Sequence, residues 1–296
     1  MQVETFKIFC DLADTGSFSK AATLNSITQS AVSQQIRALE TRFHVTLIER
    51  GRRNFALTQE GREFHLASKQ IVEIYGQLGH RLLEMQNVVA GELRVATIYT
   101  IGLHELPDYV KTFRELFPRV NVRVEYRRTA QVYQAVANGE VDIGLVSFPA
   151  KRYGLEVEPF LKDRLVLICH PSHPLAKKKS IRLEELNGEK FISFQPDLPT
   201  RKVIDRHFKE HSVAIVRTIE FDNIETVKRA VEVETGVSIV PENTVRLEVK
   251  NGDLAAVQIS APEMWRPLGI LLKRNRTRSP AVREFISLLQ KDSLGD

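Results

Sequence analysis

The sequence predicts an α/β protein whose N-terminal end is a winged helix-turn-helix. Three observations carry this. The first 58 residues hold short helical patterns followed by a hairpin pattern; residues 59–88 carry one long, narrow apolar stripe; and from Gly91 onward β-rich runs alternate with helical ones. At 296 residues the chain has length for two or three domains of roughly 100–150 residues each.

Val3, Phe6, Phe9, Cys10 and Ala13 recur at helical spacing and define a first amphipathic helix, which Asp14-Thr15-Gly16 ends. Ser17 or Ser19 caps the next, where Ala21, Ala22 and Leu24 are apolar and mostly small. Asn25-Ser26 breaks it, and Thr28 caps a third helix that buries Ala31, Val32, Ile36, Leu39 and Phe43. Two short helices about four residues apart make a helix-turn-helix.

The exposed face of the second of these two then carries Gln29, Ser30, Ser33, Gln34 and Arg37. Such residues are mediocre for helix stability but suited to base edges: Gln pairs bidentately with adenine, Ser with several bases, Arg with guanine or phosphate. A plain water-facing surface is the competing reading of this helix alone. The segment LIERGRRNFALT adds a hairpin, with Leu47 and Ile48 running out and Phe55 and Leu57 returning. A hairpin beside a helix-turn-helix is a wing, and Arg50, Arg52 and Arg53 at its tip would reach phosphate or the minor groove. With Ser19 and Thr28 at the helix starts, these residues form the candidate DNA-contacting set.

Thr58 caps a linker helix over residues 59–88, where Phe64, Ala67, Ile71, Ile74, Leu78, Leu82 and Met85 recur in alternating steps of three and four. This near-heptad stripe points to pairing with a second helix, and a two-fold dimer would present two recognition helices to two half-sites. Packing of the helix on its own domain is the alternative.

In the remainder, LRVATIY, VNVRVEY, VDIGLVSF, RLVLICH, KFISF, IVRTIEF, VSIVP and RPLGILLK read as strands. Helices include one at Ile224 to Glu234 and a last one at Ala281 to Leu289. The alternation indicates mainly parallel sheets in two subdomains, approximately 91–163 with 267–296 and 164–266, joined by two crossovers. Such folds bind ligands outside the carboxyl ends of strands. The polar residues there are Thr97, Tyr99, Thr100, Thr129, Gln131, Ser193 and Gln195, with Thr200 and Asn223 opening helices whose free N–H groups favour an anion. Each taken singly is equally a cap or turn residue. Arg127 and Arg128 flank this region and would also favour an anionic ligand, unless they are ordinary surface charges.

Composition fits a globular protein: 43% hydrophobic, 27% charged, net charge +5, pI near 9.2. The basic balance permits nucleic-acid binding without demanding it. No apolar run approaches the roughly 18 residues of a membrane span, the N-terminus has no signal-peptide pattern, and two distant cysteines make no disulfide framework. The expected location is the cytoplasm. No G-x-G-x-x-G, Walker loop, nucleophile elbow or HExxH is present, so no catalytic residues are assigned and no cofactor is expected. His207 and His211 are spaced i, i+4 and could bind zinc, but without a third ligand nearby they read as a solvated face, and no metal site is predicted.

"GSFSKAATLNSITQSAVSQQIRALE" followed by "LIERGRRNFALTQEG" resembles the winged helix-turn-helix of LysR-type transcriptional regulators. GELRVATIYTIGLHELP, NGEVDIGLV and DNIETVKRAVEVETGVSIVP resemble their periplasmic-binding-protein-like effector domain. The resemblance implies that Gln29, Ser30, Ser33 and Gln34 enter the major groove and that Arg50 and Arg53 touch backbone or minor groove. It also implies a dimerising linker helix, and a homodimer or homotetramer on double-stranded DNA with an interrupted palindromic site. A small-molecule effector would sit between the subdomains near Thr100, Thr129, Gln195 or Thr200 and Asn223. RNA polymerase is a further candidate partner. Where many members have a small polar residue two positions before Thr100, this chain has Ile98, so no effector identity carries over. The competing class is an α/β binding protein or enzyme whose N-terminal helices serve only to dimerise it.

Overall fold

Three short helices open the chain, α1 (Val3–Thr15), α2 (Phe18–Leu24) and α3 (Gln29–Phe43), and each contributes an apolar stripe to one small core. The computed structural model describes residues 2–49, 55–85 and 89–291, and the chain divides into two units, Met1–Val88 and Val89–Asp296. In the first, Gly16 takes a left-handed conformation (φ +61°) and donates its N–H to the Leu12 carbonyl at 2.9 Å, ending α1. Ser17 rather than Ser19 caps α2, accepting from the Lys20 N–H. Asn25 then clamps the turn, its side-chain amide donating to the Ala21 carbonyl (2.9 Å) and to Asp11 (2.7 Å).

Val32, Ile36 and Leu39 of α3 are buried as their spacing predicts. Ala31 is half-buried and Phe43 is 43% exposed. Phe43 lies in the last turn of α3, past the three-helix core, and its ring packs edge-on against Phe64 with centroids 5.2 Å apart. The stem of the wing is present: Ile48 pairs antiparallel with Leu57, and the Glu49 N–H donates to the Ala56 carbonyl at 2.9 Å. Its tip, with Arg50, Arg52 and Arg53, lies outside the described residues.

Helix α4 (Gln59–Met85) starts where Thr58 Oγ1 accepts the Gly61 N–H at 2.9 Å. Phe64 faces α1, stacking on Phe6 and edge-on to Phe9. Beyond it Ile71, Ile74, Tyr75 and Leu78 are all exposed. Only the backbone of Leu82 and Met85 belongs to the described part.

The second unit begins with β1 (Gly91–Thr97), α5 (Tyr99–His104), α6 (Leu106–Leu116), β2 (Val120–Tyr126), α7 (Thr129–Asn138) and β3 (Ile143–Ser147). Next come β4 (Leu155–Cys169), β5 (Ser180–Arg182), β6 (Lys190–Phe194), α8 (Pro199–Glu210), β7 (Val216–Phe221), α9 (Ile224–Glu232) and β8 (Ser238–Pro241). The chain closes with α10 (Arg246–Asn251), β9 (Ala255–Ala261), β10 (Trp265–Lys273) and α11 (Pro280–Lys291).

Each lobe builds its own core. One takes Leu93, Val95, Phe113, Phe160, Ile270 and Phe285 among others, with a second cluster around Val132, Val136, Val146 and Leu271, and the other runs from Leu165 through Phe191, Phe208 and Val227 to Met264. The long strand β4 serves both. Up to Arg164 it pairs with β10; from Leu165 it pairs with β8 and β9. Two lobes therefore share β4 and meet along β4 and β10, where Arg164 stands opposite Trp265 and Leu165 opposite Pro241.

The sheets are mixed rather than mainly parallel. Strand β1 pairs parallel with β2 and β3, and β6 with β7, but β10 is antiparallel to both β3 and β4, and β4 to both β8 and β9. The antiparallel pairs belong to the strands that pass between lobes, which reverse direction on entering a sheet begun by the other segment. No helix among the described residues is long and apolar enough to cross a membrane.

Candidate nucleic-acid interface and effector cleft

The α3 face develops from its cap. Thr28 Oγ1 accepts the Ala31 N–H at 3.2 Å and lies 2.9 Å from Ser30 Oγ, so the two hydroxyls are mutually bonded at the first turn. Gln29, Ser30, Gln34 and Arg37 are exposed and Ser33 is half-buried, along one side of a helix whose other side is the core. The free N–H groups of this first turn add the positive end of the helix dipole to the same surface. Ser19, exposed on α2, has its hydroxyl outside the capping role, which Ser17 takes.

In the second unit the two lobes meet at a polar cluster. Arg266 of β10, 1% exposed, donates from Nε to Asp163 of β4 at 3.0 Å and from a terminal nitrogen to the same carboxylate. Its other terminal nitrogen donates to Thr100 Oγ1 at 3.0 Å. Asn243, just past β8, donates to Glu105 (3.2 Å) and to Asp163 (3.4 Å). Burial, then the nearby Asp163 carboxylate, push Glu105 above the usual carboxylate range.

Beside this cluster His104 of α5 lies 3.0 Å from Glu225 of α9, and Glu225 in turn 2.8 Å from the buried Lys228. Burial and the Lys228 charge hold His104 below its ordinary value, so near neutral pH it meets Glu225 as an N–H donor without charge. A third link, Arg128 to Asp222 at 3.2 Å, joins the start of α7 to the loop before α9. Arg127 is already matched by Glu125 (2.7 Å) and Glu140 (2.8 Å), so it is no free anion-binding charge.

The strand-end residues fall into different positions. Thr100 faces the lobe junction through Arg266. Thr97 is fully buried behind α5, with its hydroxyl on the Ile98 carbonyl and its methyl in the space a Gly102 side chain would fill. Tyr99 is exposed and packs its ring against Tyr126. Thr129 is half-buried at the first position of α7. Gln131 accepts the Arg128 N–H at 3.1 Å, a capping bond.

In the other lobe, Ser193 is 1% exposed and its Oγ has no hydrogen-bond partner. Gln195 donates its backbone N–H to the Phe221 carbonyl and leaves its side chain half-exposed. Thr200 is the second residue of α8, behind Leu198 as the cap position, and is nearly buried. Asn223 caps α9, accepting the Glu225 N–H at 2.9 Å. A groove of about 530 Å³ lies elsewhere, between α6 and β2, lined by Leu106, Val110, Arg114 and Tyr126.

Residues 3–62 match the model of the bacterial regulatory helix-turn-helix protein, lysR family, and residues 86–293 match the LysR substrate binding domain. The chain belongs to the LysR family of transcriptional regulators. It is 31% identical over 290 residues to a probable RuBisCO transcriptional regulator of Synechocystis sp., covering 96% of this chain and 84% of that protein. It is 30% identical to the transcriptional activator CmpR of the same organism, covering 96% and 93%. Among solved structures it is similar to a full-length OxyR variant from Pseudomonas aeruginosa, with TM-score 0.77 and 21% identity over 98% of this chain and 95% of that one. It is also similar to full-length CbnR complexed with its target DNA, with TM-score 0.62 and 21% identity over 99% and 100% of the two chains.

This LysR-family chain thus carries a helix-turn-helix domain and an effector-binding domain, as the motifs predict. Arg266, Asp163, Glu105 and Asn243 have no counterpart among the residues that the sequence pattern singles out. Arg266 and Asp163 stand 103 positions apart, and no short spacing signals that two strands will bring them together. The one available signal was a charged residue opening an otherwise apolar strand, at RPLGILLK.

Proposed function

We propose that this regulator binds a specific double-stranded DNA site as a homo-oligomer, under the control of a small-molecule effector held between the two lobes. The observation that carries the DNA reading is the exposed Gln29, Ser30, Gln34 and Arg37 row, on a helix capped by Thr28 and rigidly backed by Val32, Ile36 and Leu39. Gln and Ser on a rigid helix read base edges, and the wing arginines Arg50, Arg52 and Arg53 supply the sequence-independent phosphate attraction. The exposed stripe of α4 supports pairing of two chains.

The effector reading rests on Thr100, Thr129, Gln195 and Asn223 at strand ends and helix starts, and on the unpartnered Ser193 hydroxyl. A ligand that binds one lobe-closure angle better than another would shift the population, and α4 would pass that shift to the spacing of paired DNA-binding domains. The cytoplasm is the compartment in which this activity belongs, and RNA polymerase the partner through which it would reach transcription.

The test is selection of bound sites from random duplex DNA with the full-length protein. An enriched interrupted palindrome is the expected result. Gln29→Ala and Ser33→Ala then relax base preference, while Arg53→Ala weakens all sites and flattens the salt dependence. Recovery of no enriched sequence at moderate salt would instead favour a binding protein whose N-terminal helices only dimerise it.

A further inference from the structure

The C-terminal end of α8 places three metal-ligating side chains on one face. His207, Glu210 and His211 stand at i, i+3 and i+4, and one donor atom from each lies within 4.8 Å of the other two. The expectation of no third ligand near the histidine pair is thus corrected: Glu210, at i+3, shares their helix face.

The details favour an ion over a hydrogen-bonded cluster. His207 Nδ1 is sealed from solvent, has no hydrogen-bond partner, and faces Glu210 Oε2 at 3.8 Å, too far for a hydrogen bond. Two ligand atoms on a tetrahedral zinc, each about 2.0–2.2 Å from the metal, lie roughly 3.3–3.5 Å apart, so a small side-chain rotation closes the gap. His211 Nδ1 lies 3.0 Å from the His207 carbonyl oxygen. A carbonyl only accepts, so that nitrogen carries the proton and Nε2 keeps its lone pair for a metal, the usual way a ligating histidine is oriented.

The helix is firmly anchored beneath the cluster: Phe208 is 3% exposed and packs edge-on against Phe191 at 5.2 Å. A cation at a helix C-terminus is also favoured by the helix dipole. Against the site stands Arg206, whose Nε is 4.0 Å from Glu210 Oε1 and leaves Oε2 to face His207.

We propose that His207, Glu210 and His211 bind one divalent transition-metal ion of the zinc class, with water completing an open coordination shell. Two imidazoles and one carboxylate select that class over magnesium or calcium. Thr200, one of the cleft candidates, begins the same helix roughly 10 Å away at 1.5 Å per residue, so the metal site and the cleft are distinct.

Full-length protein stripped with a chelator and titrated calorimetrically with Zn²⁺, in excess Mg²⁺, tests this. The expected result is one ion per chain, with affinity lowered by more than about 10-fold in Glu210→Gln and in His211→Gln. Both variants keep the wild-type circular dichroism and metal-free melting temperature. Co²⁺ bound to the wild type shows the absorption bands of a tetrahedral or five-coordinate site, and His170→Gln/His173→Gln, which removes the histidine pair of the turn after β4 and leaves α8 untouched, binds as the wild type does. Binding that is absent, that is unchanged in a Glu210→Gln/His211→Gln double variant, or that is lost in the His170/His173 variant instead, overturns the proposal.

Discussion

Arg266 and Asp163 stand opposite each other on β10 and β4, one pair before the point where β4 leaves one core for the other, and both side chains are 2% exposed. Their ion pair is thus sealed between the lobes, with Thr100 and Asn243 satisfying the remaining donor and acceptor. Removing one partner of such a pair leaves the other charge uncompensated in a poorly polarisable setting.

Asp163→Ala is therefore expected to lower stability by about 3–5 kcal/mol. Asp163→Asn, which keeps an acceptor, costs less. The chain's one tryptophan, Trp265, lies next to Arg266 on β10 and packs against Lys162, so its fluorescence during urea unfolding reports on this junction. A loss below about 1 kcal/mol for Asp163→Ala would mean that water reaches the pair and screens it.

Glu105 gives a pH signature. Its carboxyl is raised above 4.5 by burial and by Asp163, so in the folded chain the ionised form is disfavoured. Below pH 4.5 both folded and unfolded chains hold the proton and nothing is lost; stability falls as pH rises through the higher folded value. Glu105→Gln keeps an acceptor for Asn243 and removes the charge. Its melting temperature should exceed the wild type's at neutral pH, and the difference should shrink towards zero below pH 4.5. A difference independent of pH would show that packing, not ionisation, is responsible.

The uneven legibility of this chain has physical causes. The helix-turn-helix was readable because caps, periodicity and turn residues all lie within a few positions of one another, as Thr28 and Asn25 illustrate. Strands β2 and β6 were readable to the residue, being short β-rich runs. The first half of β4 does not read as a strand because Glu156 and Glu158 interrupt its apolar pattern; in the fold they meet Arg278, at 2.7 and 2.8 Å. Strand β9 carries little strand signature, because its interspersed small residues resemble a loop. The Arg266 cluster joins strands whose residues stand 103 positions apart, which periodicity does not encode; Glu210, at i+3 from His207, was by contrast legible from helical spacing.

Gly61 tests how the wing stem is seated on α4. A Cβ at this position would lie 2.0 Å from the Leu47 carbonyl oxygen, a backbone atom with no rotamer to escape through. The stem also docks here through Thr58, which accepts from the Gly61 N–H and donates to the Thr46 carbonyl at 2.6 Å. Gly61→Ala should cost roughly 1–3 kcal/mol through overpacking and shift the wing relative to α3. DNA affinity is expected to drop more than the loss of folded protein explains. A variant with wild-type melting and wild-type DNA affinity would show that the stem yields without consequence.

Ile71, Ile74, Tyr75 and Leu78 follow one another at steps of three, one and three, which places all four on one face of α4. They are 38%, 65%, 54% and 51% exposed in the single chain. In the proposed homo-oligomer this apolar face is covered by a partner, and burying each large side chain would contribute about 1.5–3 kcal/mol. The double variant Ile74→Glu/Leu78→Glu sets like charges in the seam and is expected to give a smaller species in sedimentation velocity at micromolar concentration. Because the substituted positions are exposed in the monomer, its circular dichroism should stay that of the wild type. Its affinity for a two-half-site DNA should fall towards that for a single half-site, since the second recognition helix is no longer tethered. An unchanged sedimentation coefficient would place the pairing surface elsewhere and leave α4 as a spacer.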